Sequence, residues 1–374
     1  MTADAAGDVL VTGATGFLGG AVAAELVGGP HWARTRLLVR APDRASGRDR
    51  VREALRRFAV APALLEAVGE ENIVPGDLRD AAAACADPAL RQVRRVLNCA
   101  AVASFADHPQ LWPVNVEGTF AFARRLLEVA PLERFVQVGT AMCVGPDAPG
   151  AVPEAWAAPA PVRHLVPYTR TKEVIEARLR DELPALPLVV ARPTIVVGHT
   201  RLGVAPSPSI YWVFRAAQLL ERFTCALSDR IDVVPVDWVA RALIALTTKP
   251  ALAHRFYHLS AGPARASTFA ELDVAMARGR GVAPVDGRYR QIPAAELDTM
   301  RGEFRERLGP CNPRIMARAL KLYGAFASLD MTFHSEHLAD EGIDPPPPFA
   351  AYAGVCAASA ESATIAEQMV ADFK

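Results

Sequence analysis

Gly13, Gly16 and Gly19 lie between an apolar run, Val9-Leu10-Val11, and an alanine-rich stretch, Ala21-Val22-Ala23-Ala24-Glu25-Leu26. The run reads as a strand and the stretch as a helix, so the glycines mark a strand–turn–helix. Glycine lets the backbone turn tightly and approach a ligand with no Cβ in the way. The helix N-terminus adds unpaired N–H groups and a positive dipole end. This combination suits a pyrophosphate. It predicts a dinucleotide site at Thr12, Gly13, Thr15, Gly16, Phe17, Leu18 and Gly19. The competing reading is an ordinary strand-to-helix turn, because the chain has 25 glycines.

Strand and helix patterns alternate as far as residue 145. Apolar runs at 9–11, 36–39, 72–74, 95–98 and 134–138 are separated by helical stretches near 20–28, 50–68, 86–92 and 114–130. Such alternation implies right-handed crossovers and a parallel sheet covered on both faces. A helix at about 168–183, a strand at 188–191, the pair Val233-Val234 and a helix at 239–247 extend it. After about residue 200 the rhythm loosens. Thr268 and Glu271 form a capping box, residues 300–340 read as two helices, and four prolines at 345–348 form a rigid extended connection. The expected fold is α/β, a doubly wound parallel Rossmann sheet with a smaller, mainly helical C-terminal lobe. Residues 1–200 form the cofactor domain, with 231–260 returning to it. Residues 201–230 and 261–374 form the substrate lobe, over the sheet's carboxyl edge.

The formal net charge is zero, which points away from nucleic acid as the main partner. No run of 18 apolar residues occurs, so no integral membrane segment is expected. The opening residues lack the charged-then-apolar pattern of a cleaved leader. Six scattered cysteines without a C-x-x-C predict free thiols in a reducing cytoplasm. No His/Cys/carboxylate cluster has metal-ligand spacing, so no metal is expected. Neutral charge and apolar helices permit a homodimer.

Four further features bear on the glycine turn. Leu37-Leu38-Val39-Arg40 ends the second strand, where an acidic residue would accept the ribose 2′-OH of NAD. Arg40 instead suits the 2′-phosphate of NADPH, with Arg44 and Arg48 adding charge; Asp43 keeps the NAD reading open. Asp77 and Leu78 follow the third strand and Asn98, Ala100 and Ala101 end the fourth, placed for the adenine and the cofactor backbone. Tyr168 and Lys172 share a helix face one turn apart. An ammonium beside a phenol is expected to lower its pKa and make it usable for proton transfer. Thr140, at the end of the fifth strand, offers a second hydroxyl where the nicotinamide should lie. Each feature has a bland alternative: a surface arginine, a common turn aspartate, a solvated helix pair, a structural threonine.

In this order TGATGFLG, GDL, NCAA, NVEGT around Asn115, the Thr140 strand and YTRTK resemble the extended short-chain dehydrogenases/reductases. LLVRA with the basic helix RDRVREALRRF, then ARPTIVVG and DVVPVDWVARAL, look like thioester reductases and fatty acyl-CoA reductases rather than nucleotide-sugar epimerases. The resemblance covers about residues 8–250. It implies Thr140, Tyr168 and Lys172 as catalytic residues, Thr140 standing where serine is common. It adds Pro193 and Thr194 to the cofactor contacts.

The implied reaction is hydride transfer from NADPH to a carbonyl carbon, most simply that of an acyl thioester on coenzyme A or an acyl-carrier protein, giving aldehyde or alcohol. No carrier or adenylation module is visible, so the acyl group is expected from a separate carrier. The apolar stretches 210–223 and 316–329 could line an acyl pocket or be plain core. Two rivals stay within the superfamily: a ketoreductase or hydroxysteroid-type dehydrogenase, and an epimerase. Another class is a non-catalytic NADP-binding regulator.

Overall fold

A computed structural model of the chain describes residues 8–148, 150–156 and 162–372. Seven parallel strands form its centre: β1 (Asp8–Thr12), β2 (Thr35–Val39), β3 (Ile73–Pro75), β4 (Val93–Asn98), β5 (Arg134–Val138), β6 (Leu188–Pro193) and β7 (Phe256–Leu259). Their order is β7-β6-β5-β4-β1-β2-β3. The helices that matter for the site are α1 (Phe17–Leu26), α2 (Arg44–Arg56), α3 (Thr119–Val129), α4 (Pro167–Glu182), α5 (Tyr211–Leu220), α6 (Val236–Thr248), α7 (Phe269–Arg280) and α8 (Pro313–Ala327).

β1, β5 and β6 are buried along their whole length, as near-continuous apolar strands must be when helices cover both faces. On one face Val22 of α1 and Leu243 of α6 pack with Val39 and Val136. On the other, Phe122 of α3 and Ile175 of α4 pack with Leu10 and Val96. The strand order reverses at β1 and β4, where Thr12 stands in register with Asn98. A cleft opens there, outside the carboxyl ends of the strands, as doubly wound sheets require.

Several expected elements differ in detail. β7 had no clear signal, because the buried His258 interrupts its apolar pattern. Val233–Val234 pairs with Ile195–Val196 in a separate two-stranded ribbon and does not extend the main sheet. The helix expected over 50–68 starts earlier, where Asp43 accepts from the Ser46 amide at 2.7 Å. It ends near Ala59 (φ +51°), before the short helix Pro62–Glu66. The stretch 86–92 yields only a 3₁₀ turn, Pro88–Gln92. The expected pair of helices in 300–340 is broken further, Gly309 (φ +82°) separating Phe304–Leu308 from α8.

Trp212 and Leu220 of α5 pack with Leu320 and Tyr323 of α8 in a core of their own. Phe214 and Met276 join α5 to α7 in another. The Thr268–Glu271 capping box forms as its sequence indicates. The chain then returns to the sheet: Thr332–Phe333 pairs with Ala151–Val152, and Leu338 enters the core around α1 and α6. Glu341 accepts from Lys249 Nζ and the Tyr257 hydroxyl, both at 2.7 Å. Among the described residues no helix is long and apolar enough to cross a membrane, and no group of three or more His, Cys, Asp or Glu could hold a metal ion.

Candidate active site

The cleft encloses about 930 Å³ and runs from the glycine turn to the helical lobe. At one end Gly13 adopts φ +74°, where a Cβ would stand 2.8 Å from the Ala100 amide nitrogen. A Cβ on Gly19 would stand 2.2 Å from the Gly13 carbonyl oxygen. The turn therefore packs backbone on backbone, leaving room for a ligand and none for side chains. Gly16 caps α1 without a side-chain hydrogen bond, and the first turn holds no acidic residue. The free N–H groups of that turn are thus offered to the cleft, a fit for phosphate.

Thr12 and Asn98 act behind this surface. The Thr12 hydroxyl donates to Asn98 Oδ1 at 2.5 Å and accepts from the Ala100 amide at 3.0 Å. Asn98 is fully buried, donates to Gln137 at 2.8 Å and does not line the cleft. It ties the ends of β1, β4 and β5 together. Thr15, Phe17, Leu18, Asp77, Leu78, Ala100, Ala101, Pro193 and Thr194 do line it. The Thr194 hydroxyl is already engaged, donating to Asp232 at 2.9 Å.

Arg40 reaches the cleft beside Arg50 and Arg57. Arg44 and Arg48 do not: Arg44 pairs with Asp87 at 2.6 Å, and Arg48 with Asp49 and Glu70. Arg50 lies on α2 and Arg57 caps its C-terminus two turns on, on the same side, a helical spacing that the sequence carries. Arg57 also donates to the Thr15 carbonyl at 2.7 Å. Asp43, the candidate ribose acceptor, is occupied as the α2 cap, and that bond holds its carboxyl below the usual range. The Arg79 guanidinium, bonded at 2.6 Å, does the same for Asp77.

At the other end Thr140, Tyr168 and Lys172 line the cleft together. Pro167 opens α4 as its first residue, which suits its fixed φ, and Tyr168 and Lys172 follow one turn apart. Lys172 Nζ donates to the Val138 carbonyl at 2.8 Å and lies 5.8 Å from the Tyr168 ring centre. Burial pushes the lysine down to about 8. The expectation of a lowered phenol pKa is not met. Burial raises Tyr168, and the nearby Cys143 and Glu176 add to the rise, while the ammonium is turned to Val138. Tyr168 is therefore held protonated, the form that can donate. Asn115, unassigned from sequence, accepts from the Val102 amide at 2.8 Å and donates to Thr171 at 3.1 Å. It locks the loop after β4 to α4.

That loop carries Phe105, whose ring stacks on Tyr168 at 6.1 Å and on Tyr323 of α8 at 5.1 Å. Tyr323 and Phe326 then separate the cleft from a narrow cavity of about 60 Å³ inside the lobe. Its walls include Val213, Ala217, Phe269 and Met276. Gln218 and Asp273 also border it, but they bond each other at 2.7 Å and the remaining Asp273 oxygen accepts from the Val285 amide. Of the apolar stretches flagged in the sequence, Ile210, Val213, Phe214, Ala217, Tyr323 and Phe326 reach this cavity. Trp212, Met316 and Leu320 are core.

The reversed strand order, the glycine turn and the threonine, tyrosine and lysine at one cleft define an extended short-chain dehydrogenase/reductase. The chain belongs to the male sterility protein family, NAD_binding_4, whose model matches residues 11–243. It is 26% identical over 276 residues to the nonribosomal peptide synthetase hkm10 of Aspergillus hancockii, covering 68% of this chain and 26% of that protein. To the aldehyde reductase lnaA of Aspergillus flavus it is 27% identical over 277 residues, again 68% of this chain and 26% of the relative. The chain thus spans about a quarter of the length of these relatives. The terminal R domain of the myxalamid PKS-NRPS pathway shares its fold, with a TM-score of 0.74 at 20% identity over 96% of this chain and 91% of that one. The reductase (R) domain of a nonribosomal peptide synthetase from Mycobacterium tuberculosis has a TM-score of 0.68 at 22% identity, over 95% and 91%.

Proposed function

We propose that this chain reduces an acyl thioester with NADPH, giving an aldehyde and a free thiol. The observation that carries the reading is the meeting, at one cleft, of a phosphate-binding turn, three arginines, the Thr140–Tyr168–Lys172 set and an apolar cavity. The proposed cofactor contacts are the glycine turn for the pyrophosphate, Arg40, Arg50 and Arg57 for the 2′-phosphate, and Asp77 and Leu78 for the adenine. Ala100, Ala101, Pro193 and Thr194 flank the nicotinamide half. The nonribosomal peptide synthetase relative supports an acyl group held on a carrier, and the aldehyde reductase relative supports reduction at the aldehyde level.

When bound, the reduced nicotinamide supplies the hydride. Tyr168 would donate the proton to the oxygen of the reacting carbonyl, and Thr140 would give that oxygen a second hydrogen bond. The resulting hemithioacetal then loses its C–S bond, the hydroxyl proton passing to the departing thiolate to leave aldehyde and thiol. Lys172 holds the cofactor ribose and its charge favours the transient anion of Tyr168. The balance is one thioester, one NADPH and one proton to one aldehyde, one thiol and one NADP⁺. A second round gives the alcohol. Phe105, Tyr323 and Phe326 exclude water from the reacting carbon, and the acyl group extends past them into the lobe.

The thioester is proposed to arrive on coenzyme A or a carrier protein, in the reducing cytoplasm that suits six free cysteines. Residues 1–200 and 231–260 serve the cofactor, and 201–230 and 261–374 the substrate, except for the segment around 332–341 that returns to the sheet; a homodimer is compatible with this division. The test is NADPH oxidation with acyl-CoA and acyl-carrier substrates, followed for thiol release. Oxidation on ketones alone, without thiol release, would refute the thioester reading.

A further inference from the structure

Glu176 sits one turn beyond Lys172 on α4, and its side chain is 3% exposed. Oε2 takes both Arg192 bonds, from Nε at 2.9 Å and Nη2 at 2.6 Å. Oε1 has no hydrogen-bond partner among the described residues, and neither has Arg192 Nη1. A buried pair with unused bonding capacity is a poor stabiliser, because desolvation of both ions is only partly offset. Its placement suggests another role. A Cβ on Gly139 would stand 2.0 Å from Oε1 and 3.0 Å from Arg192 Cγ. The carboxylate therefore backs the one residue between the Val138 carbonyl, which holds Lys172, and Thr140.

We propose that Glu176, clamped by Arg192, is a positioning residue for the hydride-transfer site. It fixes the strand end that presents Val138 and Thr140, and it supplies the counter-charge for Lys172. The proposal rests on the assignment of Thr140 and Lys172 above. The groups facing Lys172 are Glu176 and Tyr168 from its own helix, Cys99 from the end of β4 and Cys143 from the turn after β5. Those facing Glu176 are Arg192 from β6, Cys143 from the turn after β5 and, on its own helix, Tyr168, Lys172, Glu173 and Arg180. Of the groups that oppose the effect of burial on Lys172, Glu176 is the foremost.

The chain has four lysines, Lys172, Lys249, Lys321 and Lys374, so isotope-labelled lysine side chains followed by NMR across pH resolve Lys172 directly. One lysine should titrate near 8 in the unaltered protein. In Glu176→Gln that midpoint should fall by about 1 unit or more, since an opposed charge at close range is removed while burial persists. The alkaline limb of kcat/KM should move with it, and Glu176→Asp should restore most of the shift. Gly139→Ala, which drives the same carboxylate aside without removing it, should lower the same midpoint. It keeps the question answerable if Glu176→Gln fails to fold. An unmoved Lys172 midpoint in either folded variant overturns the proposal. The NMR reading needs no substrate, so it stands apart from the fate of the thioester assignment.

Discussion

Gly19→Ala is the most severe small change that can be made at the cofactor turn. The new Cβ would stand 2.2 Å from the Gly13 oxygen and 2.6 Å from its carbonyl carbon. Ordinary contact begins at 3.4 Å, so α1 and the turn must part by about 1.2 Å (3.4 minus 2.2). Both partners are backbone, one anchored on β1 and the other at the head of a helix packed against α6, so neither can yield by a rotamer change. Overpacking of this kind costs about 1–3 kcal/mol, and the upper part of that range applies here. At about 2.1 cal/mol/K per residue over 374 residues, that is a fall in melting temperature of about 3–4 °C. A shift of that size also draws the helix N–H groups out of hydrogen-bond reach of the phosphate. Loss of two such bonds, at about 1–1.5 kcal/mol each, weakens NADPH binding about 30- to 150-fold. Gly16→Ala, with its Cβ 3.2 Å from the same oxygen, needs only a few tenths of an ångström, and Gly302→Ala meets nothing within 4 Å. Thermal unfolding and a fluorescence titration of NADPH should therefore rank the three variants 19, 16, 302. A Gly19→Ala protein with unchanged melting and unchanged NADPH affinity would refute the geometric account of the turn.

Arg40→Ala should weaken NADPH about tenfold while leaving NADH within twofold, checked by comparing KM for the two cofactors. Asp43→Ala should cost helix stability through the lost cap without raising the KM for NADH. Lys172 has a folded-state pKa of about 8 against 10.5 for the free side chain, so the unfolded chain binds its proton more tightly. Its contribution to stability therefore rises as pH increases from about 8 to 10.5, while turnover falls over the same rise as the ammonium is lost. Lys172→Met should abolish that difference in pH-dependent unfolding, and unchanged slopes would contradict it. Ala217→Phe, on the cavity wall, should reduce kcat/KM for long acyl thioesters more than for acetyl thioesters.

The sheet and the glycine turn were legible because each depends on local pattern, whereas the switch point follows from the strand order. Apolar runs of the right length and glycines at a fixed spacing are visible one residue at a time. β7 was hidden by His258, a buried imidazole hydrogen-bonded to the His334 carbonyl at 3.0 Å, which no periodicity rule anticipates. At the site, the order of Thr140, Tyr168 and Lys172 in the sequence pointed to one cleft, and the three line it. Arg50 and Arg57 reach the cleft and Arg44 and Arg48 do not, because helical face rather than nearness to the strand end decides which side chains turn inward. Asn98 reads like a cofactor contact, yet its register opposite Thr12 turns it into a strand tie. The phenol could not be judged in advance. Its protonation depends on burial and on where the lysine's hydrogen bond goes, and both are set by tertiary structure.

In the proposed reaction one NADPH is consumed for each thiol set free. The most direct measurement follows both at once, NADPH absorbance and thiol release, with an acyl thioester at neutral pH. The account predicts equal amounts for the aldehyde-forming step, or two NADPH per thiol if reduction continues to alcohol. It also predicts loss of both signals in Tyr168→Phe with NADPH binding retained. NADPH consumption without thiol, or full thiol release by Tyr168→Phe, would contradict it.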